Sequence, residues 1–532
     1  MKNPLAFLKS VGPSLVVAAV VLGPGSITTA TKTGAAFGYS PIWMMVILLI
    51  LLIATASLAA RLGATLDRSL CGELNASLGR WAGLVMGIAF FLIVAGFQSS
   101  NNMAIVYGIE PLIGKKFSST ATILTLLGIN AVIIAILYLS KNLYKQVERI
   151  MKLFIGLMVI SFLINLVFAR PSMVEAIKGL IPDFAPFGDK DELMTLMALF
   201  ATTFIPAAAF YQGYLVRERG WGPSDVKKGF KDSIFGMCVI VGLTMVVLLT
   251  SAATFYKKDF ELSVGGESVE TGTSLLALTK IDGNLGIRAF DSTGQSEDLA
   301  ADPASVAKLE AAFDTFKTKQ DQMADQAARL KRKEKLGEGE EAVKITFDDR
   351  KALFAVVSEV TGKQNLKPRV YSADLSDANK MSVQLKRTFG SLAVWIFCFG
   401  FLAGGLSSFL VNAMIGGHVF ADGAGFGSNL RGKGVLHATT AALLVGMAVG
   451  IWSVLQKAPP TTAIVIAQAS TIFGGPAVMG GLLFLGVRQS RKGEHKPPTW
   501  MLVVTGIGLL VSIALAVRTG IKIAPAITGL FS

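Results

Sequence analysis

Apolar runs of about 20 residues recur eleven times along this 532-residue chain, at roughly 12–36, 42–62, 80–108, 118–140, 148–169, 192–216, 232–256, 388–418, 434–455, 460–486 and 499–517. Each is long enough to cross ~30 Å of hydrocarbon as a helix. In lipid a spanning segment must satisfy its own backbone hydrogen bonds, and a helix does so within itself. The pattern therefore predicts an all-α polytopic membrane protein. The first run is too long for a cleavable leader and continues into the pattern, so no signal peptide is expected. With 52% hydrophobic and 16% charged residues, the composition lies far from that of a soluble domain.

The net charge of +14 would suggest nucleic acid in a soluble protein. Here the basic residues follow the positive-inside rule. With a cytoplasmic N-terminus, the inside loops hold Arg61, Arg68, Arg80, Lys141, Lys145, Arg149, Arg217, Arg219, Lys227, Lys228, Lys231, Arg431, Lys433, Arg488, Arg491, Lys492 and Lys496. Lys115 and Lys116 are the main exception. The expected setting is the plasma (inner) membrane, with the lipid bilayer and a small ion or solute as partners and no nucleic acid. The C-terminus is expected outside. Cys71, Cys238 and Cys398 lack metal-ligand spacing and read as small core residues.

Three regions follow: seven spans in 1–256, a polar insert at 257–387 on the outer side, and four spans in 388–532. Asp302-Pro303 reads as a helix start, followed by the amphipathic "SVAKLEAAFDTFKTKQDQMADQAARLKRKEK". "AVKITF" reads as a strand and "DDRKALFAVVSEV" as a second helix. The insert is thus expected to be small and α-rich. It holds no nucleophile constellation, so no enzyme and no cofactor is expected. A lid, a partner-binding role and an inert insertion remain alternatives.

Two spans are interrupted. The first carries Gly23-Pro24-Gly25-Ser26, and the sixth carries Pro206 in "TTFIPAAAF". One such break reads as a simple proline kink. Two, five spans apart, point to an inverted-repeat transporter with its site where both helices unwind, near 23–26 and 203–207.

At these residues the chain resembles the Nramp (natural resistance-associated macrophage protein) metal transporters. "SLAARLGATLDRSLCGEL" is similar to their second-helix signature, and "LAGGLSSFLVNAMIGGHVFADG" to their eighth-helix pattern, A-A-G-Q-S-S followed by G-Q-x-x-x-E-G. The first span, from Gly23 through Gly34-Ala35 to Gly38-Tyr39, matches without a gap. The resemblance covers nearly all eleven spans and implies a leucine-transporter-type fold, a 5+5 inverted repeat plus one helix. It also implies a ligand set that this chain has changed. The family's Asp-Pro-Gly-Asn is here Gly23-Pro24-Gly25-Ser26. Its Ala-x-x-Met-Pro-His is Thr202-Thr203-Phe204-Ile205-Pro206-Ala207, and Gln212 stands at a further histidine position. The metal-holding Asp and Met side chains are absent, the third helix lacks the family's acids, and only the tenth-helix Gln remains, as Gln468.

No Asp or Glu reads as lying well inside a span; Glu148 and Asp422 fall at the edges. Mg²⁺ sites usually include a carboxylate, and softer metals favour thioether, thiolate or imidazole. The usual Mn²⁺ or Fe²⁺ cargo is therefore not expected, and no metal-ligating residues are assigned. Beyond the break the chain restarts as a helix with free N–H groups and a positive end. Ser26, Thr28 and Thr29 bring hydroxyls, and Gly25, Thr28 or Thr29, and Lys32 share a face. That pattern suits a carboxylate or small anion. A largely hydrated Mg²⁺ is the alternative, as are hydroxyls spent on backbone carbonyls and a Lys32 that snorkels outward. The candidate substrate residues are Gly23, Pro24, Gly25, Ser26, Thr28, Thr29, Lys32, Thr202, Thr203, Ile205, Pro206, Ala207 and Gln468. His418 reads as a packed, hydrogen-bonded side chain and His437 as interfacial. A secondary transporter is the leading function, with a passive channel or a transporter-derived receptor as rivals.

Overall fold

The computed structural model describes residues 13–21, 23–139, 160, 162–183, 190–256, 276–281, 284–290, 296–300, 306–331, 389–430, 432–456, 471–492 and 495–528, with isolated residues in 349–385 and at 464 and 467. They fall into two compact units, Met1–Ala253 with Ser376–Ser532, and Thr254–Leu375.

The larger unit is helical. Its elements are α1 Pro13–Val21, α2 Pro24–Phe37, α3 Ile42–Thr65, α4 Leu70–Leu78, α5 Arg80–Ile113, α6 Ser119–Leu139, α7 Met173–Lys178, α8 Lys190–Thr203, α9 Pro206–Glu218 and α10 Val226–Phe255. After the insert come α12 Ala393–Gly423, α13 Lys433–Leu455, α14 Gly475–Lys492 and α15 Thr499–Thr528. Among the described residues, nine helical stretches are long and apolar enough to span a bilayer. The first expected span is divided between α1 and α2, and most of the fifth, 148–169, lies outside the described residues.

Both expected breaks are present, but narrower than the sequence suggested. Gly23 is extended and caps α2, with Pro24 at the first helical position. Ile205 is likewise extended before Pro206, which starts α9. Proline suits that position because its missing N–H is one the helix cannot use. Pro24–Ser26 and Pro206–Ala207 are therefore first turns of new helices, and only the residues just before each proline are unwound.

The interior is closely packed where small residues let helices meet. A Cβ on Gly63 of α3 would strike the Gly213 backbone of α9, and one on Gly423 of α12 would strike Gly83 of α5. Large apolar side chains such as Leu92, Leu124, Leu139 and Leu510 stay exposed, as a lipid-facing surface requires. Cys71 and Cys398 are buried. Cys238 is exposed on α10, a correction to its reading as a core residue.

The smaller unit departs from the α-rich expectation. Leu276–Ile281, Asn284–Phe290 and Ser296–Ala300 form an antiparallel sheet, β1-β2-β3. The sheet precedes α11 Val306–Lys331, which is the expected amphipathic helix. "LALTKI" and "NLGIRAF" alternate weakly, so the longer helical pattern obscured them. The expected strand at 342–347 lies outside the described residues.

Close packing at Gly213 gives a first test. Gly213→Val should lower the thermal midpoint in detergent, since overpacking costs about 1–3 kcal/mol. An unchanged midpoint would show that α3 and α9 can separate freely there.

Candidate functional site

The two breaks meet through hydroxyls. The Thr29 and Thr202 hydroxyls lie 2.9 Å apart. The Ser26 hydroxyl donates to the Val21 carbonyl at the end of α1 and reaches the Thr202 carbonyl at the end of α8, 3.4 Å away. Thr29 also donates back to the carbonyls of Gly25 and Ser26. Ser26 thus occupies carbonyls that the breaks release, whereas Thr29 bonds back within α2, as serine and threonine do in membrane helices. These bonds correspond to the alternative in which the hydroxyls are spent on backbone carbonyls. Thr28 and Thr203 are buried, and their hydroxyls have no hydrogen-bond partner.

The amides are accounted for similarly. Pro24 has no N–H, and the amides of Ser26 and Ile27 turn back to the Gly23 carbonyl. Gly25 completes the first turn of α2, between Pro24 and Ser26. In α9 the amides of Ala207 and Ala208 precede the first intrahelical bond, which Ala209 makes to Ile205. Each restarted helix therefore presents a small positive end to the junction. Lys32 is half-buried two turns along α2, with no ion pair among the described residues. Gln468 lies outside the described residues.

A set of amides that the sequence reading passed over lies behind Gly23. A Cβ there would come 2.9 Å from the Ser408 hydroxyl of α12 and 3.7 Å from Asn101 Oδ1 of α5. Asn101 donates to Gln98 Oε1 at 2.9 Å, and Asn412 donates to Ser408 at 2.7 Å. Asn130 of α6 donates to Asn102 Oδ1 at 2.6 Å, and Asn102 donates to the Gln98 carbonyl. All are buried. The signal was available: Gln98-Ser99-Ser100-Asn101-Asn102 is a five-residue polar run inside an apolar span, and such residues in membranes hydrogen-bond across helices.

Acids lie nearer the helix ends. Asp232 of α10 accepts from the Ser14 backbone N–H of α1 and from Gln212 Nε2 of α9, both at 3.0 Å. Asp422 of α12 accepts from Tyr214 of α9 at 2.6 Å and from Ser69 at 2.9 Å. Among the described residues no three His, Cys, Asp or Glu side chains group as metal ligands. Beside the Phe204–Ile205 break lies a small pocket bordered by Ile93, Phe200, Ile205, Pro206 and Ile472, with Thr471 and Ser512 as its hydroxyls.

The natural resistance-associated macrophage protein-like (Nramp) family model matches residues 14–285 and 354–522. A divalent metal cation transporter, MntH, of Bacillus subtilis is 24% identical over 257 residues, which are 47% of this chain and 59% of that protein. Its counterpart from Latilactobacillus sakei is 23% identical over 274 residues, 49% of this chain and 57% of that protein. The chain thus spans about three fifths of the length of these curated relatives. Among solved structures, a manganese transporter of Eremococcus coleocola superposes with a TM-score of 0.60 at 16% identity, covering 99% of this chain and 88% of that one. The fold is shared with that transporter.

The hydroxyl bridge between the breaks is directly testable. Thr29→Val and Thr202→Val should each cost about 1 kcal/mol of stability, and the double variant less than their sum. Thermal unfolding in nanodiscs reads this; strict additivity would mean that the two hydroxyls do not interact.

Proposed function

The chain belongs to the Nramp family, and from that premise we propose that it is a secondary transporter, carrying a small ion or solute across the plasma (inner) membrane by alternating access. The substrate sits between the end of α1 and the start of α2 on one side, and the end of α8 and the start of α9 on the other. The observation that carries this reading is the paired break, joined by Thr29 and Thr202. Two discontinuous helices whose ends converge at mid-membrane are where transporters of this build hold their cargo. The basic loops support a cytoplasmic N-terminus and an insert outside.

The lining of the junction limits the cargo. Gly23 offers no carboxylate and Ile205 no thioether, so transition metals lose the ligands they favour. What remains are hydroxyls, carbonyls, the first-turn amides of α9 at Ala207 and Ala208, the positive start of α2, and Lys32. A half-buried ammonium without a carboxylate partner makes the vestibule electropositive. A small anion or carboxylate is therefore the first reading. The second is a divalent cation that keeps most of its water, Mg²⁺ ahead of Mn²⁺ or Fe²⁺. It is favoured by the divalent-metal role in the names of the relatives and by the oxygen-rich, neutral lining.

Uptake of labelled acetate and of Mg²⁺ into proteoliposomes separates the two. Under the anion reading Lys32→Ala weakens acetate transport about tenfold, the loss of a charge-assisted contact of about 1.5–3 kcal/mol. Gly23→Asp, combined with Ser408→Ala to clear the hydroxyl it would meet, should abolish acetate uptake. If Lys32→Ala leaves acetate unaffected and the double variant gains Mg²⁺ uptake, the cation reading replaces the anion one. Mn²⁺ titrated calorimetrically against the wild type should show no micromolar binding. Micromolar binding would mean that carbonyls and amides suffice to replace the missing acid.

A further inference from the structure

His418 sits five residues before the C-terminal end of α12, far from the paired breaks in the sequence and unused by the reading above. It is 1% exposed. Its Nε2 lies 2.7 Å from the Ser428 carbonyl, and its Nδ1 lies 3.0 Å from the Tyr211 hydroxyl of α9. A carbonyl can only accept, so Nε2 carries the hydrogen. In the neutral ring Nδ1 must then accept from Tyr211. The two contacts together fix the tautomer of the neutral ring.

The surroundings keep a charge out. Tyr211 and Tyr214 of α9 pack edge-on to the imidazole, with ring centroids 5.7 and 5.0 Å away. Asp422, one turn along α12, already has both carboxylate oxygens engaged, by Tyr214 and by Ser69. From the α4 side, the Cys71 N–H donates to the Tyr214 hydroxyl at 3.3 Å. Burial and Asp422 push the Cys71 thiol well up from its ordinary value, so it stays protonated. Farther out, Glu73 pairs with Arg488 and Lys492, and Arg217 is spent on the carbonyls of Leu66 and Asp67. On α13 it is Thr439 that meets α12, at Gly417. His418 and Asp422 are thus the groups of this cluster whose charge sets the contact between α9 and α12.

We propose that His418 is a proton-operated latch: neutral, it holds α9 against α12, and a proton at Nδ1 releases them. Protonation turns Nδ1 from acceptor into donor and reverses the Tyr211 bond. It also places an imidazolium in a buried pocket where the Asp422 carboxylate is already hydrogen-bonded to Tyr214 and Ser69. Both costs vanish once α9 moves away and water reaches the ring. By linkage, the proton therefore favours the separated arrangement. The latch lies at the end of the bundle that holds the N-terminus of α1, so its release opens the junction on that side.

The test measures the opening itself and needs no substrate. Spin labels at Glu218→Cys on α9 and Phe426→Cys beyond α12, with Cys238→Ser, report their separation in lipid nanodiscs. Between pH 8 and pH 5.5 the ratio of long to short distances should rise about fivefold, on the way to the tenfold limit that one unit of pKa difference between the two arrangements sets. His418→Gln retains a donor toward Ser428, matches the residue of the motif that this segment resembles, and should abolish the pH response. Selective ¹⁵N labelling of the three histidines, assigned by the same variant, should show the Nε2–H tautomer at pH 8. The proposal is overturned by an unchanged distance ratio in the wild type, by the same response in His418→Gln, or by the Nδ1–H tautomer. Transport of acetate or Mg²⁺ could fail while this response persists, so the latch and the cargo reading are judged separately.

Discussion

The junction depends on how backbone groups released at two helix breaks are satisfied away from water. An unpartnered carbonyl or amide in hydrocarbon costs several kcal/mol, so neither α1–α2 nor α8–α9 could be broken in isolation. Here each break supplies part of the other's solution. Ser26 of α2 serves the carbonyl ends of both α1 and α8, and Thr29 faces Thr202. The broken helices are therefore coupled to one another before any substrate arrives. A movement of α8 relative to α2 exposes carbonyls that must be met by water or by cargo.

A second coupling operates at the N-terminal end of the bundle. Asp232 holds the start of α1 through the Ser14 N–H and holds α9 through Gln212. Asp422 and His418 hold α9 to α12. On the opposite end, the stretch around α7 straps the turn after α2. Ser172 N–H donates to the Tyr39 hydroxyl, Trp43 N–H to the Gly179 carbonyl, and Ser40 to Asp183. The ends are secured by different chemistry. At the α7 end the bonds are neutral or exposed, whereas at the α1 end they rest on two buried or half-buried acids, where small changes of charge have large effects.

The breaks and the helical architecture were legible because Gly and Pro act locally. Even the one error of position, a break placed on the prolines instead of before them, follows from proline's preference for the first helical turn. The amide set was legible in type but was passed over: Gln98-Ser99-Ser100-Asn101-Asn102 carries no charge and no motif, and its meaning comes from Ser408 and Asn412 some 300 residues later. Asp232 was missed because it stands at the edge of an apolar run. Its role appears only when α1 and α9 fold against it. His418 was read as packed and hydrogen-bonded, and its bonds to Tyr211 and Ser428 agree with that. No spacing rule places Tyr211 opposite it. The small β-sheet of the insert went unread because its strands are short and alternate only weakly.

Hydroxyls and amides in place of charged groups at the junction would change what the proposed transport cycle must overcome. A buried carboxylate needs a counter-charge in every arrangement of the helices, and stranding it costs several kcal/mol. Asn101, Gln98 and Asn412 instead carry donors and acceptors together and can pair with one another when the site is empty, as Asn101 does with Gln98. An empty junction of this kind is stable without a bound ion. The charge that remains nearby is Lys32, on the α2 side of the break and half-buried. Under the proposed anion reading, discrimination between cargoes would rest on long-range potential from that ammonium and the two helix starts, with the neutral lining contributing fit. Such a field acts on charge sign more than on ion size, so under that proposal charge is sorted first and shape second.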